Sequence, residues 1–367
     1  MRRRPLRLRL HGDSLEVVDP GFGELPLIQD LDPAWSIQSA PLLGFREPRL
    51  LGLRTRTTGV AVAAFAAATL DDLWAAHDAA LERGRPGGVS VLALKAEIAR
   101  RLLGSCVLCI RRCGVDRTSG ARGPCGLGPG AAVAEHYVHI GEEPQVNPSL
   151  MIATRGCGLR CRGCQQHDLL DPRTRAGEAL GPALWKDLDF AGARSLSFVG
   201  GNPDESLPAI LDFLNAAPAN FALPVVWNNA GAMSPEAMRV LRGLPDVYIP
   251  DLKFHREVCA GAYTRVDGYA AAARAGVARL AEDDVPVLVR LLLMPGHAAC
   301  CHIPSLAWLS SLEAPNLMVS LRAQYAPDWK IGRADGALAG RVSAAEREAV
   351  TAAARALGLA LVDRETG

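Results

Sequence analysis

The sequence predicts an α/β fold, a partial (β/α)6 barrel of the TIM type with an N-terminal extension and a cysteine-rich metal module. After residue 148, short apolar runs alternate with segments of helical pattern, which is typical of βα units and a parallel sheet. Six such units are present, fewer than the eight of a closed barrel, so a partial barrel is expected. Seven of the ten cysteines lie between Cys106 and Cys164, which favours ligand loops over scattered packing thiols.

The predicted barrel elements follow one another in regular order. Strands are expected at 149–154, 196–199, 224–227, 247–249, 287–293 and 318–323. Helices are expected between them at 207–215, 235–241, 268–280 and 304–312. Ser343 and Glu346 form a capping box that predicts a last helix over 344–357, followed by a short strand over 359–362.

The chain before the barrel is predicted to contain two helices. Residues 60–81 have a helical pattern with a candidate helix start at Thr69, and 83–88 form a turn or linker. An amphipathic helix is expected over 89–103, directly before the first cysteines. We therefore divide the chain into four parts. They are an extension of unknown role at 1–88, a helix with a four-cysteine module at 89–145, the barrel at 146–335, and a C-terminal helix and strand at 336–367.

Composition and charge restrict the function classes. The chain has 367 residues, of which 49% are hydrophobic and 22% charged, and its formal net charge is +1. Such a charge provides no bulk attraction for nucleic acid or for a membrane surface. Five arginines precede residue 10, but no long apolar segment follows them, and the apolar stretch at 59–70 is too short to span a bilayer. We expect a cytoplasmic protein whose cysteines serve metal or redox chemistry rather than disulfides.

Three cysteines with the spacing C-x3-C-x2-C, Cys157, Cys161 and Cys164, follow the first predicted barrel strand. Three thiolates on one tight loop can hold three irons of a cubane cluster and leave the fourth iron open to a small molecule. One alternative is a structural zinc site, with His167 as the fourth ligand. Another is three buried thiols that pack as small hydrophobes, although the loop around them is rich in glycine and arginine.

A second group of four cysteines, Cys106, Cys109, Cys113 and Cys125, precedes the barrel. Four thiolates close a site, which suits structural zinc or an auxiliary iron–sulfur cluster. The intervening residues have little apolar content, so a bound metal is a physical reason for this module to fold. The spacing departs from the paired C-x2-C halves of zinc ribbons, and a module without metal is the third alternative.

Two further segments lie at predicted strand ends. Gly200 and Gly201 follow the second strand, where glycine lets the backbone approach a ligand closely, although Gly-Gly alone is also an ordinary turn. The segment 297–302 contains two histidines and two adjacent cysteines. Neighbouring side chains diverge, so we interpret it as a substrate-facing loop or as packing rather than as a metal site. A radical-donating thiol at Cys300 or Cys301 is a further hypothesis, and Cys259 is interpreted as a packing residue.

Taken together in order and spacing, residues 96–330 resemble the radical S-adenosylmethionine (SAM) proteins related to pyruvate formate-lyase activating enzyme. The resemblance rests on both cysteine groups and on the segments 139–144, 200–203, 224–228, 248–254, 289–296 and 324–325.

The resemblance implies that Cys157, Cys161 and Cys164 bind a [4Fe-4S] cluster whose open iron chelates the amino and carboxylate groups of SAM. An electron supplied by a flavodoxin or ferredoxin type donor would cleave SAM to methionine and a 5′-deoxyadenosyl radical, which abstracts a hydrogen atom from the substrate. Gly200 and Gly201 would contact the methionyl amine through the backbone. The implied cofactor-binding residues are Gly200, Gly201, Asn202, Asn228, Asp251, Lys253 and Arg290.

Two positions depart from the pattern of this family. Gly163 stands where the family has an aromatic residue before the third cysteine, and Asn202 replaces the glutamate of its Gly-Gly-Glu-Pro motif. Backbone contacts tolerate both changes. Adenine packing and side-chain support of the SAM amine do not, so we expect weaker SAM binding or compensation by another residue.

Three functions are consistent with these residues. The resemblance favours an activating enzyme that installs a glycyl radical on a partner protein. The N-terminal extension favours instead a radical SAM enzyme that acts directly on a small molecule or a peptide. The departures at Gly163 and Asn202 leave a third alternative, a non-catalytic iron–sulfur or zinc-binding protein with a degenerate SAM site.

Overall fold

A mixed, mostly parallel β-sheet organises the computed structural model, which describes residues 7–11, 14–18, 48–171 and 177–362. The strands are β1 (Arg7–His11), β2 (Ser14–Val18), β3 (Ala132–His139), β4 (Ser149–Thr154), β5 (Glu178–Ala179), β6 (Ser195–Gly200), β7 (Val225–Asn229), β8 (Val247–Pro250), β9 (Val287–Leu292) and β10 (Leu317–Arg322). The helices are α1 (Arg49–Thr55), α2 (Leu70–Glu82), α3 (Val91–Arg101), α4 (Leu207–Asn215), α5 (Pro235–Leu241), α6 (Glu257–Thr264), α7 (Tyr269–Ala281), α8 (Ile303–Ser310) and α9 (Ala344–Ala356).

The parallel part of the sheet follows the order of the chain. Strands β4, β6, β7, β8, β9 and β10 lie side by side in that sequence, and each pairs in parallel with the next. Strand β3 adds to the edge at β4 in antiparallel orientation, and β1 and β2 continue from it. The carboxyl ends of the six parallel strands therefore meet at one edge of the sheet, where α/β proteins place their sites.

The elements of the predicted barrel are confirmed. All six predicted strands are present with ends within two residues of the prediction, and helices α4 and α5 have the predicted bounds. Helix α9 begins at the expected capping box, because the Ser343 hydroxyl accepts from the Glu346 N–H while the Glu346 carboxylate accepts from Ser343. Local apolar periodicity and caps were sufficient to place these elements.

Other predictions were wrong or incomplete. Within the helical pattern over 60–81, the candidate start at Thr69 is confirmed, because Thr69 and Asp72 form the capping box that begins α2. Residues 60–68 do not form an α-helix and include only a short 3-10 turn, Val62–Ala64. The strand predicted over 359–362 is reduced to a bridge between Leu361 and Val319. Strand β3 was missed because its burial pattern does not alternate regularly, and α1 and α6 were missed as well.

Alternation along the parallel strands separates their side chains into two sets. Leu150, Ile152, Phe198, Trp227 and Val289 point into the large core under the helices. The opposite face has a small apolar cluster that includes Val226, Ile249 and Leu288. Towards the carboxyl ends this second face becomes polar, with Asn228, Asp251 and Arg290. Among the described residues, no helix has both the length and the apolar character needed to cross a membrane.

The described helices of the N-terminal extension pack on the outer helical layer. Helices α1 and α2 pack on α3, the first helix after the extension, and α3 contacts α4 and α5. The buried ammonium of Lys95 donates to the carbonyl oxygens of Val240 and Arg242 at 2.6 and 2.8 Å, and its Nζ lies 2.7 Å from Nε2 of His77. The Lys95 side chain thereby satisfies free carbonyls at the end of α5, and its contact with His77 joins the extension to the helical layer.

Candidate metal centre

The loop of Cys157, Cys161 and Cys164 begins where β4 ends and is held by backbone hydrogen bonds. Gly156 has φ +91°, a conformation that glycine adopts without strain, and it turns the chain into the loop. The N–H groups of Arg160 and Arg162 donate to the carbonyls of Thr264 and Tyr263 at the end of α6, at 3.1 and 2.9 Å. The loop is therefore positioned by the barrel and by α6 together.

The three thiols of this loop have raised pKa values, which a bound metal would lower. Burial raises the pKa of Cys157 and Cys164 and raises that of Cys161 to about 12. The neighbouring thiols of the group raise the pKa of Cys157 further, whereas the ammonium of Lys253 opposes the rise at Cys161. Cys157 and Cys161 are buried and Cys164 is half-buried. Thiols in this environment need a cation to become thiolates, and a bound metal supplies one.

The zinc alternative for this loop finds no support in the described part of the chain. Four ligands of tetrahedral zinc lie within about 4 Å of one another, because Zn–S bonds are about 2.3 Å long. Among the described residues, the one group of three donor atoms that all lie within 4.8 Å of one another belongs to Cys259, His297 and Cys300. The loop cysteines and His167 do not form such a group. His167 instead stacks on Trp329 with ring centroids 5.8 Å apart. A cubane distributes its ligands over separate irons and requires wider spacing than one ion does.

The four-cysteine module packs directly against this loop. Burial raises the pKa of Cys109, and it raises that of Cys125 to about 11; the Glu205 carboxylate contributes to both shifts. The fully buried guanidinium of Arg117 donates to the carbonyls of Gly128 and Glu205 at 2.8 and 2.9 Å. It also lies 3.7 Å from the sulfur of Cys106. The module is thus anchored to the barrel, and its metal, zinc or a second cluster, remains a prediction.

Glu205 links the two cysteine groups, a role that sequence reasoning missed. Its Oε1 accepts from the N–H of Gly158 at 2.6 Å, and its other carboxylate oxygen accepts from the Asn202 amide. A Cβ on Gly158 would lie 2.9 Å from this carboxylate and 3.2 Å from the sulfur of Cys109. Burial and, to a smaller extent, the adjacent Asp204 raise the pKa of Glu205 to about 7. The only sequence signal was an acidic pair directly after the Gly-Gly-Asn-Pro segment.

Gly200 and Gly201 contact the cysteine loop closely. A Cβ on Gly200 would lie 2.4 Å from the carbonyl oxygen of Thr154, and one on Gly201 would lie 2.2 Å from that of Gly156. Any larger residue would push the end of β6 away from the loop. The Gly201 N–H donates to Thr154 at 2.8 Å, so the carbonyl oxygens are the groups that this turn offers to a ligand ammonium.

The amide of Asn202 is used within the protein. Its Oδ1 accepts from the N–H of Ala230 at 2.9 Å, and its Nδ2 donates to Glu205. The side chain is buried, with 5% exposure. Asn202 therefore supports the loop through Glu205 instead of presenting an oxygen to a ligand.

The remaining predicted cofactor residues meet at the carboxyl ends, where they are paired with acidic partners. Lys253 pairs with Asp251; burial lowers the pKa of Lys253, but Asp251 holds it well above its usual range. Arg290 binds Glu143 through two hydrogen bonds of 2.9 and 2.6 Å and contacts Glu142 at 2.9 Å. These two glutamates follow β3, and no role for them was predicted. The Nδ2 of Asn228 donates to Glu142 at 3.4 Å.

The space beside Gly163 is filled by an aromatic ring from another element. A Cβ on Gly163 would lie 3.0 Å from the hydroxyl oxygen and 3.2 Å from Cε2 of Tyr263 in α6. Tyr263 is 4% exposed and packs on Phe254 with a centroid distance of 5.4 Å. An aromatic ring from a residue 100 positions later therefore lies beside Gly163, together with Ile331.

The segment 297–302, interpreted from its sequence as a substrate-facing loop or as packing, also contributes two side chains to a group of metal-ligating residues. His302 is buried and accepts from the Met294 N–H at 2.9 Å, which gives it a structural role. His297 and Cys300 instead converge with Cys259, which sequence reasoning had assigned to packing. No local pattern joins Cys259 to a segment that begins 38 residues later.

Comparisons with known proteins support an iron–sulfur protein. Residues 149–248 match the family model of the 4Fe-4S single cluster domain, and this span contains Cys157, Cys161 and Cys164. The chain is also 29% identical over 295 residues to an uncharacterized protein of Methanocaldococcus jannaschii, with 74% of this chain and 83% of that protein covered. Together with the geometry of the loop, the family match supports binding of a [4Fe-4S] cluster by this chain.

Proposed function

We propose that this protein is a radical SAM enzyme. The observation that carries the proposal is the close contact between the cysteine loop and the Gly200–Gly201 turn at the carboxyl ends of β4 and β6. Within that arrangement Cys157, Cys161 and Cys164 would hold a [4Fe-4S] cluster. The cluster, when bound and reduced, would supply the electron that breaks the S–C5′ bond of SAM and releases methionine. We also infer that the six parallel strands curve into a partial barrel around this site.

The residues of the chain would position SAM and exclude water from it. Carbonyl oxygens at Gly200 and Gly201 would accept from the methionyl ammonium. Lys253, whose pKa Asp251 holds well above its usual range, stays charged next to the loop and would neutralise the SAM carboxylate. Arg290 is held by Glu142 and Glu143 and would act by fixing these carboxylates at the site. Tyr263 would pack against the adenosyl group in place of the absent aromatic at Gly163.

The described part of the N-terminal extension favours action on a partner protein. Its helices α1 and α2 pack on α3, which lies on the outer helical layer against α4 and α5. Within the described residues they therefore do not build a dedicated pocket at the carboxyl ends of the strands. This agrees with an activating enzyme that installs a glycyl radical on a larger substrate and takes its electron from a flavodoxin or ferredoxin type donor. Direct action on a small molecule or peptide is the alternative.

Formation of 5′-deoxyadenosine tests the proposed function. Protein reconstituted anaerobically with iron and sulfide, reduced with dithionite and incubated with SAM should produce 5′-deoxyadenosine and methionine. The Gly201→Ala variant should produce much less, because its Cβ would displace Gly156 and the cysteine loop. A fully loaded wild-type protein that releases no 5′-deoxyadenosine with any reductant would show a non-catalytic iron–sulfur protein.

Truncation of Tyr263 should weaken SAM binding while the cluster remains. Aromatic packing contributes about 0.5–1.5 kcal/mol beyond buried area, so Tyr263→Ala should raise the KM for SAM about threefold to tenfold. Tyr263→Phe, which keeps the ring, should change it little. Gly163→Phe should partly restore the KM in the Tyr263→Ala background, because truncation vacates the space beside Gly163. An unchanged KM in Tyr263→Ala would contradict the assigned role.

A further inference from the structure

Cys259, His297 and Cys300 form a compact group of metal-ligating side chains outside the cysteine loop. Their ligand atoms all lie within 4.8 Å of one another, although the residues come from different elements. Cys259 lies in α6, His297 follows β9, and Cys300 lies in a π-helical turn, Ala298–His302, that leads into α8. Turns of the π type are rare and are frequently found at functional sites. Sulfur and imidazole donors at this spacing suit a single ion.

The orientation of His297 fits a metal ligand. Its Nδ1 lies 2.9 Å from the carbonyl oxygen of Pro295, and a ring that donates there presents the lone pair of Nε2. Histidines that bind metals commonly donate their second ring N–H to a backbone carbonyl in this way. The ring also packs edge-on against Phe254, with centroids 5.1 Å apart. His297 is thus oriented by two contacts that leave one nitrogen available.

A fourth ligand is close to this group. The sulfur of Cys301 lies 3.7 Å from that of Cys300, which is about the separation of two thiolates on one zinc ion with bonds of about 2.3 Å. Cys301 is fully buried. Cys301 is not among the residues whose ligand atoms all converge within 4.8 Å, so a water molecule would take the fourth position of a tetrahedral ion unless the Cys301 side chain moves towards His297.

We propose that Cys259, His297 and Cys300 bind one Zn²⁺ ion that is independent of the iron–sulfur loop. Binding would release the thiol protons of Cys259 and Cys300 to solvent, with no change of oxidation state. The ion would join the first turn of α6 to the start of α8. The last turn of α6 accepts hydrogen bonds from Arg160 and Arg162 of the cysteine loop, so the metal would stabilise the helix against which that loop is held.

Titration of Co²⁺ into the full chain tests the site. Metal-free, reduced wild-type protein and a Cys259→Ser/Cys300→Ser double variant are titrated anaerobically, and the visible absorption of tetrahedral Co²⁺–thiolate is recorded. The wild type should bind one more Co²⁺ per chain than the double variant, and Zn²⁺ should displace it. His297→Ala should lower the Co²⁺ affinity of this site at least tenfold, because loss of even a residue that only orients a metal ligand lowers metal affinity about 10- to 100-fold. The Cys301→Ala variant shows whether the fourth ligand is thiol or water.

Two controls separate a metal site from a folding defect or a redox pair. Zn²⁺ should raise the Tm of the wild type more than that of the double variant, because binding to the native state alone stabilises it, while the metal-free proteins should have similar Tm values. The Cys157→Ala variant, which keeps Cys259 and Cys300, should still bind the Co²⁺ that the double variant loses. Equal Co²⁺ stoichiometry in wild type and double variant would overturn the proposal. A Cys259–Cys300 disulfide in protein isolated from cells, together with equal stoichiometry, would assign a redox pair instead.

Discussion

Replacement of Cys161 with alanine should remove the iron–sulfur cluster of the loop. The protein reconstituted with iron and sulfide should lose about four irons per chain relative to wild type, together with the visible charge-transfer absorption of the cluster. The physical reason is that Cys161 is the central thiol of the C-x3-C-x2-C loop and is buried next to Lys253. No other described cysteine is positioned by the same backbone contacts to replace it. Activity in the SAM cleavage assay should fall to the background of the uncatalysed reaction.

Gln165→Ala is the matched control for this experiment. Gln165 follows Cys164 in the same loop and donates only a 3.4 Å hydrogen bond to the Gln324 carbonyl, so its removal should leave iron content and absorption unchanged. A Cys109→Ala variant should keep the loop cluster and lose only the metal of the four-cysteine module. Full iron content in Cys161→Ala would show that the cluster is bound elsewhere in the chain.

The elements of the fold could be predicted because their signals are local. Each barrel strand is a short apolar run, and the caps at Thr69 and Ser343 lie three residues from their partners. Residues 60–68 show the limit of that approach, since their alanine-rich composition resembles a helix but α2 begins only after the Thr69 cap. Strand β3 forms because it pairs with β4. The sequence periodicity of residues 132–139 does not reveal such pairing, since strand formation depends strongly on context.

The cysteines of the candidate site could be singled out from their spacing, and their role as ligands stays a prediction, whereas their surroundings could not be predicted. Arg290 and Glu143 are 147 residues apart and become partners only because β9 and the segment after β3 meet on one face of the sheet. The same holds for Tyr263 beside Gly163 and for Cys259 beside His297 and Cys300. Position 163 shows the consequence most directly. The missing aromatic residue predicted weaker SAM binding, and the sequence could not show that the ring of Tyr263 lies beside this position.

Glu143→Gln is expected to destabilise the protein strongly, because Glu143 is the central anion of the polar face. Its carboxylate is fully buried and accepts from Arg290, Arg322 and Ser320. Burial would raise its pKa, but the two guanidinium groups hold it well below its usual range. The neutral amide leaves two cations without their shared anion, and breaking a buried ion pair in this way costs about 3–5 kcal/mol.

Urea denaturation of metal-free protein at pH 7 measures this loss as a change in the free energy of unfolding. Glu142→Gln is the matched control and should cost less, because Arg290 keeps its two bonds to Glu143.

The sign of the pH dependence follows from the lowered pKa of Glu143. Its contribution is complete above the ordinary glutamate pKa of about 4.3 and declines as pH falls below it, where only the unfolded chain binds the proton. The difference between wild type and Glu143→Gln should therefore shrink between about pH 5 and pH 3. A loss in Glu143→Gln no greater than in Glu142→Gln would place the anchoring charge elsewhere.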